Sequence, residues 1–451
     1  MKIEFVANAS FLISLSDGRK ILTDPWYTDG IYYGAWANFP PLTDEIKQHY
    51  ITSSPDFIYI SHIHPDHFDR RTLANFSKQI PILIGKFPTF ELANSIKSLG
   101  FKDVRQIEFD RITNVDGIDL SIIKQFEGSG DGFVSDVEYL IDSSLWVRDP
   151  NGQTLLNIND NPIKIQDAKK IVLKYGTPDC AILPYGGASG YPHAFRQYDS
   201  EEKKRRRDIV SVNRLELFIK IAEIIGSKWT IPAAGASVAS GRIAPFTEYF
   251  HSATPRQIIS RWQKNEFQLK AQQVCIMMPG DCLDLESESF KENYSNSLRN
   301  YDSTDRLEYA LKLKTRKLAQ EGIIIPDDFT IPMMLLMQKS RKTLWEYQCR
   351  HQCFPKHDIE LIITESENVP IRENGGTHFF FALDLEVPEV QNELSIGRSR
   401  TSFYLDSSLM LMILISAANW SNAEMAALIQ IERSPDAHNP TIHTLMNYFH
   451  L

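Results

Sequence analysis

His62-Ile63-His64-Pro65-Asp66-His67 sets three imidazoles and a carboxylate within six residues, directly after the apolar run Phe57-Ile58-Tyr59-Ile60. Imidazole nitrogens and carboxylate oxygens bind Zn, Fe or Mn, and a dense set of them at the end of a buried strand is what a metal centre needs. Alternation along an extended backbone puts His62 and His64 on one side, toward one cation, and turns Asp66 and His67 toward a second. A bound divalent cation lowers the pKa of its water to near neutrality and polarises the bond to be cleaved. Asp66 and His67 are therefore candidate catalytic residues as well as ligands, Asp66 as general base or second-metal ligand.

The surrounding chain must hold that loop on a scaffold. Phe5 to Leu15 reads as a strand, and a second strand ends at Ile21-Leu22-Thr23-Asp24-Pro25-Trp26. Helical stretches at Leu92 to Leu99 and Leu215 to Ile225 alternate with short apolar strands up to about residue 240, which gives a mixed α and β domain. A basic run, Lys203 to Arg207, opens the second of these helices. It reads as a solvated helix end, with phosphate contact as the alternative. Residues 251–345 turn helical, at Pro255 to Trp262 and Thr304 to Glu321 with a start signal at Ser303 or Thr304, and form a linking or covering segment. Residues 346–451 carry strands at Ile359 to Thr364 and Phe379 to Leu385, then helices at Leu405 to Ala418 and Asn422 to Glu432, which describes a small C-terminal α+β domain.

The H-x-H-x-D-H pattern, preceded by Asp24-Pro25-Trp26, resembles the signature of the metallo-β-lactamase superfamily. Ile58 to Phe68, Leu155-Leu156-Asn157-Ile158-Asn159-Asp160 and Gly186 to Pro192 also stand in the order and approximate spacing of the catalytic module of CMP-N-acetylneuraminate hydroxylases and their bacterial relatives. The resemblance spans about the first 240 residues and implies an αββα sandwich over residues 1–250. It implies one or two divalent metal ions as cofactor.

That resemblance also proposes further site residues. Asp24 would orient a ligand rather than bind metal, the alternative being a turn cap before Pro25. Asp160 would bridge two cations, or else be a turn residue before Asn161-Pro162. No histidine occurs between His67 and His193, so a carboxylate must fill the third position if it is filled. Glu127 is the first candidate and Asp131 the next, against the alternative of a solvent-exposed loop acid. A carboxylate there makes the site oxygen-rich and suits iron or manganese as readily as zinc. Where a final histidine belongs, Ile231 to Ala236 offers small residues, so either the second metal is held weakly or His193 supplies the missing nitrogen, the alternative for His193 being that it merely packs or hydrogen-bonds.

Gly186, Gly187 and Ser189 lie in a segment whose backbone amides are unobstructed, which fits an anion cradle or a tight turn. Cys349-x-His351-x-Cys353-x3-His357 lacks the spacing of a Rieske cluster, and Pro355 breaks the helix that would align it. Incidental cysteines explain it better than a small zinc site.

A net charge of −9 over 451 residues argues against general nucleic-acid binding. Five cysteines, an odd number, fit free thiols in a reducing compartment. With no secretory pattern at the N-terminus, and with Leu409 to Ala418 too short to span a bilayer, the expectation is a cytoplasmic chain without a membrane span. The leading functional reading is a metal-dependent hydrolase acting on an anionic small molecule such as a phosphorylated sugar or nucleotide derivative. The alternative is an iron-dependent oxygenase. The hydroxylases carry a Rieske domain ahead of this module, whereas the lactamase-like pattern begins here at residue 1, so electrons would come from a separate protein. A non-catalytic metal-binding scaffold is the third reading, opposed by the retention of so costly a cluster of polar groups.

Overall fold

Alternate residues along the strands point to opposite faces, and this sorts the apolar side chains into layers. The computed structural model describes residues 1–126, 141–187, 189–265, 272–292, 297–326, 329–364, 377–386 and 397–451. One sheet has eight strands, in the order 289–291, 282–284, Lys2–Ala7, Ser10–Ser14, Lys20–Thr23, Phe57–Tyr59, Ile82–Gly85 and Val104–Ile107. The other has seven, in the order 273–274, Trp229–Ala233, Cys180–Pro184, Thr154–Asn157, Ser143–Arg148, Ile118–Lys124 and Thr113–Val115.

The inner faces meet in one core, with Ile3, Phe11, Ile21 and Tyr59 of the first sheet opposed by Leu120, Val147, Leu155 and Ile182 of the second. Ile58, Leu12 and Leu22 point the other way, into Ile46, Tyr50, Leu92 and Ile96 of the covering helices. Leu156, Ala181 and Leu183 likewise face Ala168, Ile171, Phe218 and Ala222. Helix, sheet, sheet and helix thus stack as an αββα sandwich. The long helix Ser200–Ile225 starts where the Asp199 side chain accepts from Glu202 N and stops at Gly226, whose φ of 72° is the left-handed turn that closes a helix. Its basic run is largely engaged with acids: Arg205 and Arg206 bond Glu202, Lys204 lies 3.1 Å from Glu248, and Arg206 lies 3.2 Å from Asp436.

The segment expected to be a helical linker contributes strands as well. Residues 273–274 extend the second sheet, and 282–284 with 289–291 close the edge of the first. These strands are two or three residues long, too short to show a period in the sequence. The expected helix from Thr304 to Glu321 is an α-helix over Ser303–Lys312, capped by Asp302, followed by a separate 3-10 turn at Ala319–Gly322.

The C-terminal unit is a four-stranded mixed sheet in the order Thr377–Ala382, His357–Thr364, Ser399–Asp406 and Gln430–Ser434, packed by helices. Two corrections arise here. The expected helix from Asn422 to Glu432 is a short helix, Trp420–Met425, followed by the strand Gln430–Ser434; and Leu405 ends a strand rather than opening a helix. Long-range partners decide both: Gln430–Ser434 pairs with Ser399–Asp406, and Ile431 exchanges backbone hydrogen bonds with Ala194 and Arg196 of the first unit at 2.9 and 2.8 Å. A single core runs from Trp26, Tyr32, Phe195 and Tyr198 into Leu361, Phe403, Trp420 and Phe449. All five cysteines are free thiols, Cys349 is exposed, and His357 Nε2 lies 2.9 Å from Thr401 Oγ1. Among the described residues, no helix is long and apolar enough to cross a membrane.

Candidate metal centre

The strand Phe57–Tyr59 delivers Ser61 and the histidine loop to the sheet edge, where Asp24 receives them. Asp24 is fully buried; its Oδ1 accepts from Ser61 N and its Oδ2 from Ser61 Oγ, both at 2.8 Å. The same Oδ2 accepts from Asn159 Nδ2 at 2.8 Å and lies 3.2 Å from His67 Nδ1. Asp24 therefore holds one edge of the His67 ring and leaves Nε2 to face the site, an arrangement that fixes a ligand's orientation. Asn159 reaches it from a left-handed backbone at φ 64°.

Two groups of metal-donor atoms form around these rings. His62, His64 and Asp142 make one, His62, His67 and Asp160 the other, each with its donor atoms within 4.8 Å of one another. His62 is common to both: its Nε2 lies 2.9 Å from His64 Nδ1 and 3.4 Å from Asp142 Oδ1, and its Nδ1 lies 3.9 Å from Asp160 Oδ1. The expected division, with His62 and His64 on one side and Asp66 and His67 on the other, is thus replaced by a shared central imidazole. The loop after Ile60 turns instead of continuing as a strand, so strict alternation lapses. Asp66 lies beside the second group, its Oδ2 3.4 Å from His67 Nε2 and its Oδ1 accepting from the Tyr32 hydroxyl at 2.6 Å.

Asp142 was not among the expected ligands. Glu127 and Asp131 lie outside the described residues, and the carboxylate that the structure brings to His62 and His64 comes from the start of the strand Ser143–Arg148. That strand runs antiparallel to Ile118–Lys124, with Ser143 opposite Lys124. The beginning of one strand and the end of its partner share an edge, and this pairing was the available signal. Ser143 Oγ then pins Asp142 in place, donating to Ser61 O at 2.7 Å and lying 2.8 Å from the Tyr59 hydroxyl.

The electrostatics fit a cation. Asp66, Asp142 and Asp160 converge in a largely buried place, which is costly without compensating positive charge. Burial, followed by the neighbouring Asp160 charge, raises Asp142 to about 7. Burial would also raise Asp66, but His67 overrides it and brings the group to about 2. Burial opposes protonation of His67, yet Asp160 and Asp66 together lift it well above the ordinary imidazole range. Burial, then the neighbouring His62 ring, lowers His64 to about 4, and burial lowers His62 too, so each favours the neutral form, which has one lone pair to give. Among the described residues, His67 Nε2, Asp142 Oδ1 and Asp160 Oδ1 are buried without a hydrogen bond, although His67 Nε2 lies 3.3 Å from Asp160 Oδ2 and Asp142 Oδ1 lies 3.4 Å from His62 Nε2. Buried polar atoms are ordinarily paired; a nitrogen and oxygen donor set orphaned in this way fits divalent zinc, iron or manganese.

His193 joins neither donor group. Its ring packs 5.0 Å from Phe250 and 5.9 Å from Phe246, and it borders a small cavity of about 30 Å³ together with Asp66, Asp160 and Ser189. Ser189 Oγ accepts from Tyr191 N at 3.1 Å. The glycines are small for packing reasons: a Cβ on Gly186 would lie 2.5 Å from Gly235 Cα, and one on Gly187 would lie 1.9 Å from Arg214 Nη1. Both glycines line a larger cavity of about 560 Å³ that opens onto His64, Asp142 and Asp160, a volume in the range that holds a small organic molecule.

Residues 2–192 match the family model of the beta-lactamase superfamily domain. A protein of Mycobacterium tuberculosis named for the Rieske 2Fe-2S iron-sulfur class is 30% identical over 246 residues, covering 52% of this chain and 44% of that one. The chain spans less than half the length of the curated relatives it matches. A possible metal-dependent hydrolase from Veillonella parvula is 18% identical with a TM-score of 0.43, over 62% of this chain and 98% of that one. CmlA, a diiron β-hydroxylase from Streptomyces venezuelae, is 15% identical with a TM-score of 0.41, over 62% of this chain and 53% of that one.

Proposed function

We propose, from the premise that residues 2–192 form a beta-lactamase superfamily domain, that this protein is a metal-dependent hydrolase of a small molecule bearing an anionic group. One observation carries the reading: His62 joins two donor groups that border a cavity of organic-molecule size. His62, His64 and Asp142 would hold one cation, and His67 and Asp160, with Asp66 beside them, a second. Zinc, manganese or iron bound there supplies Lewis-acid activation of water near neutral pH. The chain's own residues do the rest. Asp24, Ser61 and Asn159 fix the His67 ring, and Asp66, held by Tyr32, is placed to accept a proton. His62 and His64 stay neutral in their buried setting, as ligation requires. The free thiols accord with a reducing, cytoplasmic setting.

A second reading, an iron-dependent oxygenase, is favoured by two observations. The group beside His62 and His64 is a carboxylate, Asp142, which would accommodate iron, and the Mycobacterium tuberculosis relative bears a Rieske name. Electrons would then arrive through an iron-sulfur partner or domain. Metal analysis of protein purified without added ions, combined with turnover assays, tests both. Zinc or manganese with hydrolysis of esters, thioesters or phosphoesters supports the first reading. Iron with reductant-dependent oxygen uptake supports the second. Absence of any bound metal overturns both.

A further inference from the structure

Arg214 stands on the cavity side of the helix Ser200–Ile225, where the missing side chain of Gly187 makes room for its guanidinium. One Nη1 donor bonds the Gly186 carbonyl, and among the described residues no ion pair with a carboxylate accompanies it. Burial depresses its pKa. A guanidinium in such a setting has lost hydration that one neutral carbonyl does not replace, and its planar fork matches a carboxylate or phosphate better than any other partner.

Another stretch of the cavity wall is apolar. Leu217, Phe218 and Ile221 follow Arg214 at the three, four and seven residue spacing of one helix face, and all border the same space. Leu217 is 39% exposed, an apolar side chain left open within a cavity. Met425 of the C-terminal unit faces them, and a methionine adapts its shape to varied apolar ligands. His64, Asp142 and Asp160 form another edge, and Lys164 and Tyr185 also border the space.

We propose that this cavity takes an amphipathic anion, with a carboxylate or phosphate head on Arg214 and an apolar body along Leu217, Phe218, Ile221 and Met425, so that the reactive part lies over His64, Asp142 and Asp160. The chemistry performed there rests on the hydrolase reading above; the binding does not. This replaces the polar sugar or nucleotide suggested by resemblance with a molecule that has an apolar body.

Calorimetric titration of the full chain as purified, with metal content measured on each sample, tests this. The probes are octanoate, octyl phosphate, cytidine monophosphate and octanamide. Octanoate or octyl phosphate should bind, and whichever binds tighter identifies the head group. Arg214→Gln and Leu217→Asp should each weaken that binding by about tenfold or more, with Arg214→Lys intermediate because it keeps the charge without the fork. Octanamide should bind weakly and without dependence on Arg214. The proposal is overturned if neither octyl anion binds, if Arg214→Gln leaves their affinity unchanged, or if cytidine monophosphate binds tighter than both. Should Arg214→Gln fail to fold, Arg214→Lys and the partly exposed Leu217→Asp carry the same decision. Arg214-dependent binding in a metal-free wild-type protein sinks the hydrolase reading alone; normal metal content without Arg214 dependence sinks the subsite alone.

Discussion

The Tyr32 hydroxyl lies 2.6 Å from Asp66 Oδ1, with the tyrosine ring buried. Tyr32 and Tyr33 both adopt left-handed backbone, at φ 50° and 61°, and Gly34 follows at 93°. Each such non-glycine residue costs about 1–2 kcal/mol. The turn is held at both ends, since the Tyr33 hydroxyl accepts from Asn419 N at 2.6 Å, in the C-terminal unit. A carboxylate at the candidate metal centre is thereby tied through two adjacent tyrosines to the far part of the chain.

Tyr32→Phe should lower stability by about 1–3 kcal/mol, the cost of leaving a buried acceptor without its donor. Losing a group that orients a ligand should also weaken metal retention by about 10–100-fold. Denaturant titration and competition with a graded chelator measure the two effects. Unaltered metal retention would remove Tyr32 from the centre.

His62→Ala should lower the metal-to-protein ratio more than His64→Ala or His67→Ala. The reason is the shared ring, which faces Asp142 and His64 through Nε2 and Asp160 through Nδ1. Elemental analysis of the three variants decides this. Equal losses in all three would show that His62 is no more central to the site than His64 or His67.

Asp142→Ala should deplete metal and turnover more than Glu127→Ala, because Asp142 already lies 3.4 Å from His62 Nε2. Metal content after dialysis against chelator is the readout. The reverse ranking would return the third position to Glu127.

His193 gives a prediction about acid stability. Burial, then the charge of Lys203, lowers it to about 3, below its ordinary value of 6.5. Between those values the unfolded chain binds the extra proton, so stability rises with pH through the window and is lost as pH falls below about 6.5. The loss from this group at pH 5 is about 2 kcal/mol. His193→Leu should flatten the dependence of unfolding free energy on pH between 6.5 and 4 by about 1.4 kcal/mol per unit. An unchanged slope would show that His193 is accessible and free to protonate.

Local order in the sequence showed a mixed α and β domain, and the resemblance, not periodicity, implied the αββα sandwich. The apolar runs around Ile13, Ile21 and Ile58 and the apolar helical stretch from Leu215 to Ile225 are short-range signals, and each acts within a few residues. Strand Gln430–Ser434 was misread as helix because its identity comes from pairing with residues at positions 399–406 and 194–196.

The same boundary runs through the metal centre. Side-chain chemistry written in consecutive letters, as in His62 to His67, announces metal binding before any fold is known, since donor types and spacing suffice. Asp142 and Asp160 beside His62, Tyr32 on Asp66 and Arg214 behind Gly187 are distances, and distances between residues 27 to 98 apart along the chain exist only after the sheets have paired. Burial then sets which of those groups carry charge, because the cost of an ion depends on the surroundings that packing creates.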